Sequence, residues 1–233
     1  MATYVSLVNE LLRRLNEVPM DIAGDGFDSA RNVQALAKDA VNNSVRAIIQ
    51  DGQEWPFLKT TYVQTLTSGT REYDFPADMG SVDWETFYLK KSVSIQNQPK
   101  KLKTLSYEEY TETRRPLDDE GSTGVTDYVY QTYEEKFGVS PTPDAAYEVE
   151  YVYWSYPSDM SVYNDVCVIP DRFKHVIIDG AMMYMMRFRS NEQSAAIHQQ
   201  AFQEGIKVMR RVLLDDKLDL RSTVLGKAVG NGR

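Results

Sequence analysis

Hydrophobic residues near both ends of the chain recur every three or four positions, the spacing of one face of an α-helix. This pattern predicts a helix over residues 3–18 and a second helix from a capping residue at 28 or 29 to about residue 51. Two more are predicted after Pro170, the last starting at Ser190, where Gln193 completes a capping-box pattern. The apolar positions are Val5, Val8, Leu12 and Leu15 in the first helix; Val33, Leu36, Ala37, Ala40, Val41, Val45, Ile48 and Ile49 in the second; Phe173, Val176, Ile177, Ala181, Tyr184, Met185 and Phe188 in the third; and Ile197, Ala201, Phe202, Ile206, Met209 and Leu213 in the fourth.

Between these helices the apolar residues alternate with polar ones, which is the pattern of half-buried β-strands. The first two strands are separated by Ser68, Gly69 and Thr70, so they are predicted to pair as a hairpin that stops at Pro76. Residues 106–109 resemble a capping box for a short helix. A polar loop is predicted to follow. The predicted strands cover residues 60–67, 71–75, 82–89, 93–96, 128–133 and 147–156, and the predicted polar loop covers residues 115–126.

Runs of helices separated from a run of strands indicate an α+β protein. We expect residues 1–58 and residues 169–215 each to supply two helices of one four-helix bundle. Residues 59–168 are expected to form an inserted antiparallel β-rich domain. Residues 216–233 contain three glycines and no lasting period, so an extended tail that does not fold alone is expected there.

The third predicted helix carries methionines on two of its faces. Methionine adapts to irregular apolar surfaces, so the pattern fits the core of a bundle. It also fits a helix that packs against another subunit as well. The methionines are Met182, Met183, Met185 and Met186.

Composition and charge exclude several classes of protein. The chain has 233 residues, 42% of them hydrophobic and 26% charged, which is ordinary for a globular protein and argues against collagen or extensive disorder. No apolar run approaches the ~20 residues that span a bilayer, and the N-terminus has no signal-peptide pattern. Residues 105–165 contain 3 basic and 14 acidic residues, so this stretch would repel nucleic-acid phosphates.

Paired carboxylates are the main enzyme-like signal. Glu148 and Glu150 lie on one face of a predicted strand, about 7 Å apart, a separation found in inverting glycosidases. Their alternation with tyrosine and valine also fits a strand with one solvated face. Asp21, Asp25 and Asp28 share a glycine loop that could bind calcium or could be a solvated helix-capping loop, since their spacing is not that of an EF-hand.

The remaining candidate residues give weaker signals. His175 lies among apolar residues of a predicted helix and fits a packed or solvated histidine better than a ligand. Cys167 is the single cysteine, which excludes an intrachain disulfide, and its valine neighbours favour a buried, inert thiol. Gly24 and Gly26 precede a helix, but no strand leads into them, as a dinucleotide site requires. We therefore expect no catalytic residue, no cofactor and no metal.

Four segments in a fixed order carry a resemblance to a known family. They are residues 46–58, with a Trp-Pro-Phe sequence after the second helix; residues 65–78, which end in Pro-x-Asp; residues 137–147, before a tyrosine-rich strand; and residues 168–181, at the start of the closing helices. In this order and spacing, over about residues 3–215, the chain resembles the phage head–tail adaptor proteins, including the tail tubular protein A type of short-tailed phages. The Gln53-Glu54 pair before Trp55 departs from relatives whose tryptophan directly follows the glycine.

The resemblance implies a structural protein without enzymatic activity. It implies a ring, expected to contain twelve copies, between the portal protein and the tail nozzle protein at the head–tail junction of the virion. DNA would pass through the lumen without specific binding, no membrane would be involved, and the particle would be assembled in the host cytoplasm. Gly52, Trp55, Pro56 and Phe57 are expected to form a structural corner between bundle and sheet.

In similar adaptors, segments near the C-terminus dock into the portal. We therefore expect the tail to become ordered on the portal, although a tail that stays disordered throughout is the alternative. The candidate portal-binding residues are Leu218, Leu220, Arg221, Ser222, Thr223, Val224 and Leu225.

Two other functions remain open from the sequence. One is a tail-associated carbohydrate hydrolase that uses Glu148 and Glu150. The other is a monomeric assembly factor that is absent from the mature particle. The adaptor interpretation is favoured because the specific sequence signals are architectural.

Overall fold

The computed structural model describes residues 1–20, 26–27, 30–51, 54–92, 97–132 and 136–214. The chain divides into two compact units, a helical unit of residues 1–58 and 157–233 and a β-rich unit of residues 59–156. The helices are α1 (Tyr4–Arg14), α2 (Val33–Ile49), α3 (Tyr107–Thr113), α4 (Arg115–Asp119), α5 (Lys174–Phe188) and α6 (Glu192–Leu214). The strands are β1 (Lys59–Thr65), β2 (Glu72–Asp74), β3 (Met79–Leu89), β4 (Lys100–Lys101), β5 (Lys103–Leu105), β6 (Thr123–Gly124), β7 (Tyr128–Gln131), β8 (Lys136–Ser140), β9 (Thr142–Pro143) and β10 (Glu148–Ser155).

Helix α5 is the centre of the helical unit. It packs against α1 and α2 from the start of the chain and against α6 from its end, which confirms the predicted α+β fold with a bundle built from both termini. Met182, Met183 and Met185 are all buried inside this unit. The methionine pattern of α5 is therefore that of a core helix.

A glycine sets the close approach of three helices. Gly180 of α5 has no side chain, and a Cβ placed there would clash with Ser44 Oγ on α2 and lie 2.8 Å from the Phe202 ring on α6. The fully buried Ser44 hydroxyl donates a hydrogen bond of 2.7 Å to the carbonyl of Ile177, so its polar group has a partner. The bundle can pack this tightly because position 180 is glycine.

The ends of two helices differ from the sequence predictions. Helix α1 ends at Arg14, several residues before the predicted end at residue 18. Helix α6 begins at Glu192 and its cap is Asn191, whose side-chain oxygen accepts a hydrogen bond of 3.1 Å from the Ser194 backbone N–H. The predicted cap, Ser190, instead adopts a left-handed conformation with φ of 54°, because the chain reverses there between α5 and α6. The predicted α2 caps, residues 28 and 29, lie outside the described residues.

Residues 157–168 lie in the helical unit, whereas the sequence pattern assigns them to the β-rich segment. The Tyr4 backbone N–H donates to the carbonyl of Asp165, and Val166 forms an isolated β-bridge with Thr3. Asn42 of α2 donates to the carbonyl of Met160. These hydrogen bonds attach the segment to α1 and α2, and an alternation pattern alone does not reveal them.

The β-rich unit consists mainly of two four-stranded sheets, in the orders β1-β10-β3-β4 and β2-β8-β7-β5, with a two-stranded β6-β9 pair. Most pairs are antiparallel, and β5-β7 and β6-β9 are parallel. The predicted hairpin of the first two strands is wrong, because β1 pairs with β10 and β2 pairs with β8 in the other sheet. The chain crosses between the sheets at residues 66–71, where Tyr73 Oη accepts from the Thr67 N–H and donates to the Thr70 carbonyl.

Three smaller predictions also have clear outcomes. The short helix after Ser106 is confirmed as α3, with the Ser106 hydroxyl accepting from the Glu109 N–H at 3.1 Å. The polar loop predicted at residues 115–126 contains α4 and β6. Strand β8 was missed because Gly138, over which the Tyr130 ring packs closely, interrupts its apolar pattern. The predicted strand at residues 93–96 lies outside the described residues.

Aromatic rings from both sheets form the core of the β-rich unit. Tyr151 of β10 is fully buried, with its ring 4.7 Å from that of Phe87 and 5.5 Å from that of Phe137 between centroids. Its hydroxyl has no hydrogen-bond partner among the described residues. Burial raises the pKa of this hydroxyl, so it stays neutral. Two residues along the same strand, the Tyr153 hydroxyl donates to Asp78 at 3.1 Å.

We expect Gly180→Ala to lower the free energy of unfolding of the helical unit by about 1–3 kcal/mol, because the new methyl group overpacks the contact with Ser44 and Phe202. Chemical denaturation followed by circular dichroism measures this change. Gly124→Ala is the control, since no atom lies within 4 Å of a Cβ at that position. A Gly180→Ala variant as stable as the wild type would contradict the packing described for α5.

The same chemical change at two tyrosines of β10 should have opposite effects. Tyr151→Phe removes a buried hydroxyl that lacks a partner, so we expect a gain in stability of about 1 kcal/mol. Tyr153→Phe removes the hydrogen bond to Asp78, so we expect a loss of about 1 kcal/mol. Thermal unfolding of both variants tests the pair, and a loss of stability in Tyr151→Phe would show that its hydroxyl is satisfied.

Candidate interaction surfaces

The two carboxylates of β10 are on the solvated face of the strand, as their alternation with buried residues indicated. Lys90 bridges them, with its Nζ 3.5 Å from Glu148 and 4.0 Å from Glu150. Both side chains are about half exposed and lie side by side along an open sheet face. In a glycosidase the two carboxylates flank the scissile bond inside a cleft, so this geometry does not favour hydrolysis.

An open pocket of about 650 Å³ lies elsewhere on the β-rich unit. Its lining presents aromatic rings, hydroxyls and a side-chain amide, and Glu148 and Glu150 are not part of it. A pocket of this composition can hold a small polar or aromatic group, but it does not combine an acid with a base. The lining residues are Trp84, Thr104, Leu105, Ser106, Tyr107, Gln131 and Thr132.

Metal and thiol chemistry find little support in the described part of the chain. No group of three or more His, Cys, Asp or Glu residues there could hold a metal ion. The calcium candidates Asp21, Asp25 and Asp28 lie outside that part. Cys167 is buried, and burial raises the pKa of its thiol, which makes it a weak nucleophile. His175 is exposed on α5.

Trp55 packs at the C-terminal end of α2 and binds one of its last backbone carbonyls. Its side chain is fully buried, and its indole N–H donates a hydrogen bond of 3.0 Å to the carbonyl of Ile48. Its ring stacks on that of Phe57, which lies in the 3₁₀ turn Pro56–Leu58. Gly52 lies outside the described residues. The role of these residues as a corner between bundle and sheet stays a prediction.

Helix α6 carries a second apolar surface beside its core face. Phe202, Ile206 and Met209 are buried against the bundle, but Ile197, predicted as part of that face, is 63% exposed. At ~100° per residue, Ile197, five positions before Phe202, is rotated about 140° from the centre of the core face. It shares its arc with the half-buried Ala201 and the exposed Val208 and Val212. We name Ile197, Ala201, Val208 and Val212 the α6 stripe.

The segment before α5 carries a second exposed apolar group. Val162, Tyr163 and Val166 are each about 40–50% exposed, and we name them the loop surface. The Asp165 carboxylate accepts hydrogen bonds from the backbone N–H groups of Ser161 and Val162, which lower its pKa and hold the turn. The carbonyl of Tyr163 accepts from the Val5 N–H at 3.1 Å. The apolar side chains are thus presented on a fixed backbone.

The predicted portal-binding residues, from Leu218 to Leu225, lie outside the described residues. The α6 stripe was missed because Ile197 was grouped with the core face, although its spacing of five residues from Phe202 rotates it out of that face, and because Val208 and Val212 were not considered. The exposed apolar residues of the loop surface were missed as well, since they follow no periodic pattern. Among the described residues, no helix is both long and apolar enough to cross a membrane.

Comparison with known proteins gives one informative result. No curated protein matches the sequence. A family model described as "SU10 adaptor protein" matches residues 2–224, which covers nearly the whole chain and includes both structural units and part of the tail. The chain therefore belongs to the SU10 adaptor protein family, and it is a phage adaptor protein.

Proposed function

We propose that this protein is a head–tail adaptor of a phage virion, built as a ring between the portal protein and the tail nozzle protein. The ring is expected to contain twelve copies and to let DNA pass through its lumen. The observation that carries this proposal is the family match over residues 2–224. The tail tubular protein A type of short-tailed phages remains the expected subclass, with assembly in the host cytoplasm.

The charge of the chain and the build of its helical unit support this role. A net charge of −11 over residues 105–165 would keep a DNA-facing surface from holding its cargo. The helical unit is closely packed at Gly180 and Ser44, which suits a component that must keep its shape within a particle. A structural role without catalysis fits both the family and the open placement of Glu148 and Glu150.

The C-terminal tail is the proposed portal-binding segment. The family match continues past the end of α6 to residue 224, so most of the candidate segment 218–225 belongs to the sequence shared by the family. The segment combines leucine and valine with Arg221, which suits docking of an extended chain into a preformed groove. Binding would then order the tail on its partner.

Native mass spectrometry of this protein mixed with the portal ring encoded beside it tests both steps. We expect a discrete complex with about one copy per portal subunit. Deleting residues 216–233 should weaken portal binding by at least about tenfold, which corresponds to about 1.4 kcal/mol. The matched control replaces the same residues with a Gly/Ser sequence of equal length.

Each outcome has a distinct meaning. No complex with an intact portal ring would contradict the adaptor role. A normal complex after the deletion would contradict tail docking alone. Protein analysis of purified virions separates the adaptor from an assembly factor, because only the adaptor is present at a copy number near that of the portal.

We expect Glu148→Gln and Glu150→Gln to leave portal binding unchanged within experimental error. Both carboxylates are solvated and interact with Lys90 alone among the described cations, and such surface pairs contribute about 0–1 kcal/mol. Lys90→Gln is the matched control for the loss of the pair. Polysaccharide cleavage by the wild type that disappears in either glutamine variant would instead establish the hydrolase alternative.

A further inference from the structure

The α6 stripe and the loop surface face different sides of the helical unit. Ser44 of α2 points towards α5, since its hydroxyl donates to the Ile177 carbonyl there. Asn42 and Arg46 are each two positions away, a rotation of about 160° around the helix. These two side chains bind the loop, Asn42 at the Met160 carbonyl and Arg46 at the Asp159 carboxylate. The loop therefore begins on the side of α2 that faces away from its contact with α5.

The border of the α6 stripe near its C-terminal end is net basic, since one exposed acid, Glu204, is outnumbered there by two exposed cations. Lys207 and Arg211 are exposed on the turns that carry Val208 and Val212. Neither cation has an ion-pair partner within the described ranges. Their neighbour Arg210 differs, because it is held by both carboxylate oxygens of Asp51. Within the part of the chain that the structure describes, these two cations thus face no carboxylate within ion-pair distance.

The loop surface has an acidic border. Asp39, Asp159 and Asp165 lie close together around Tyr4, where burial and these three carboxylates all raise the pKa of the tyrosine hydroxyl. Asp159 is paired with Arg46, and the Lys38 amine is turned inward to the carbonyl of Phe27. Asp39 is exposed at the edge of this group. An apolar patch with a carboxylate border complements an apolar patch with a basic border.

We propose that the α6 stripe of one copy binds the loop surface of the next copy, so that these two surfaces form the subunit interface of the ring. This inference rests on the proposed function. Two different, complementary surfaces on separate sides of one unit make a heterologous contact, and repetition of such a contact closes a ring when the rotation permits. The basic border of α6 then faces the acidic border of the loop, which selects the neighbour and its orientation.

Cross-linking between engineered cysteines tests this contact. Val208→Cys lies in the α6 stripe and Val162→Cys lies in the loop surface, and both positions are exposed enough for the fold to tolerate the change. The native Cys167 is 1% exposed, so its background reaction is small. A short bismaleimide is applied to the free protein at high concentration and to its complex with the portal ring.

We expect the double variant to give a ladder of covalent oligomers up to the size of the ring. An equimolar mixture of the two single variants should give dimers only, because each copy then carries one of the two reactive surfaces. Either single variant by itself should stay monomeric. Dimers from Val208→Cys alone would overturn the proposal in favour of a symmetric α6–α6 contact.

Charge reversal provides a second readout in the double-cysteine protein. Lys207→Glu with Arg211→Glu should reduce the ladder by about tenfold, and adding Asp39→Lys should restore part of it. Arg187→Glu, on α5 and bound to Gln199, is the control for a general change in charge. A ladder that is insensitive to the reversal at 207 and 211 would overturn the assigned pairing.

The outcome also separates this interface from the adaptor role itself. A portal complex that forms while the double variant gives no ladder overturns the interface and leaves the adaptor role in place. A ladder in the free protein without a portal complex supports the interface and contradicts the adaptor role. No ladder in either sample overturns the interface.

Discussion

The buried contact between α2 and α5 joins the two ends of the chain in one bundle. Ser44 and Ile177, which share its hydrogen bond, are 133 positions apart, and the whole β-rich unit lies between them in sequence. Closing such a long segment costs conformational entropy, and burial of α5 by α1, α2 and α6 must compensate for it. Neither helix pair can bury its apolar face without the other, so the helical unit depends on this closure.

The periodicity of the sequence predicted where the four long helices and the longer strands β1, β3 and β10 lie, because the side chains of one face follow a local repeat. It did not predict which strands pair. The sequence pattern predicted that β1 and β2 form a hairpin around Gly69. In the structure, the Leu66 backbone N–H donates to the carbonyl of Tyr147, and the Gly69 N–H donates to the carbonyl of Pro143. The turn residues were identified correctly, and their partners came from seventy or more positions away. Pairing at that distance is decided by aromatic packing such as Tyr73 on Phe137, which a local pattern does not contain.

Among the candidate functional residues, some positions were also predicted correctly from the sequence and others were not. The solvated position of Glu148 and Glu150 followed from alternation alone, and the structure adds Lys90 as their shared partner. The exposed position of Ile197 was predicted wrongly, although its rotation of about 140° from Phe202 is contained in the sequence. Surfaces for other molecules are recognisable only once the core has been identified, since both use the same apolar residues. The interaction surfaces of an adaptor are therefore the part of the molecule for which the structure adds most to the sequence.

The small size of the exposed apolar surfaces bears on the order of assembly. The α6 stripe and the loop surface each present only a few apolar side chains, and single exposed apolar residues are common on soluble monomers. One such contact between two free copies is weak. On a portal ring, tails that bind adjacent portal subunits would hold neighbouring copies at high effective concentration, and the same contact would then form intramolecularly. In the proposed ring, a modest interface would therefore favour closure on the portal over premature closure in solution.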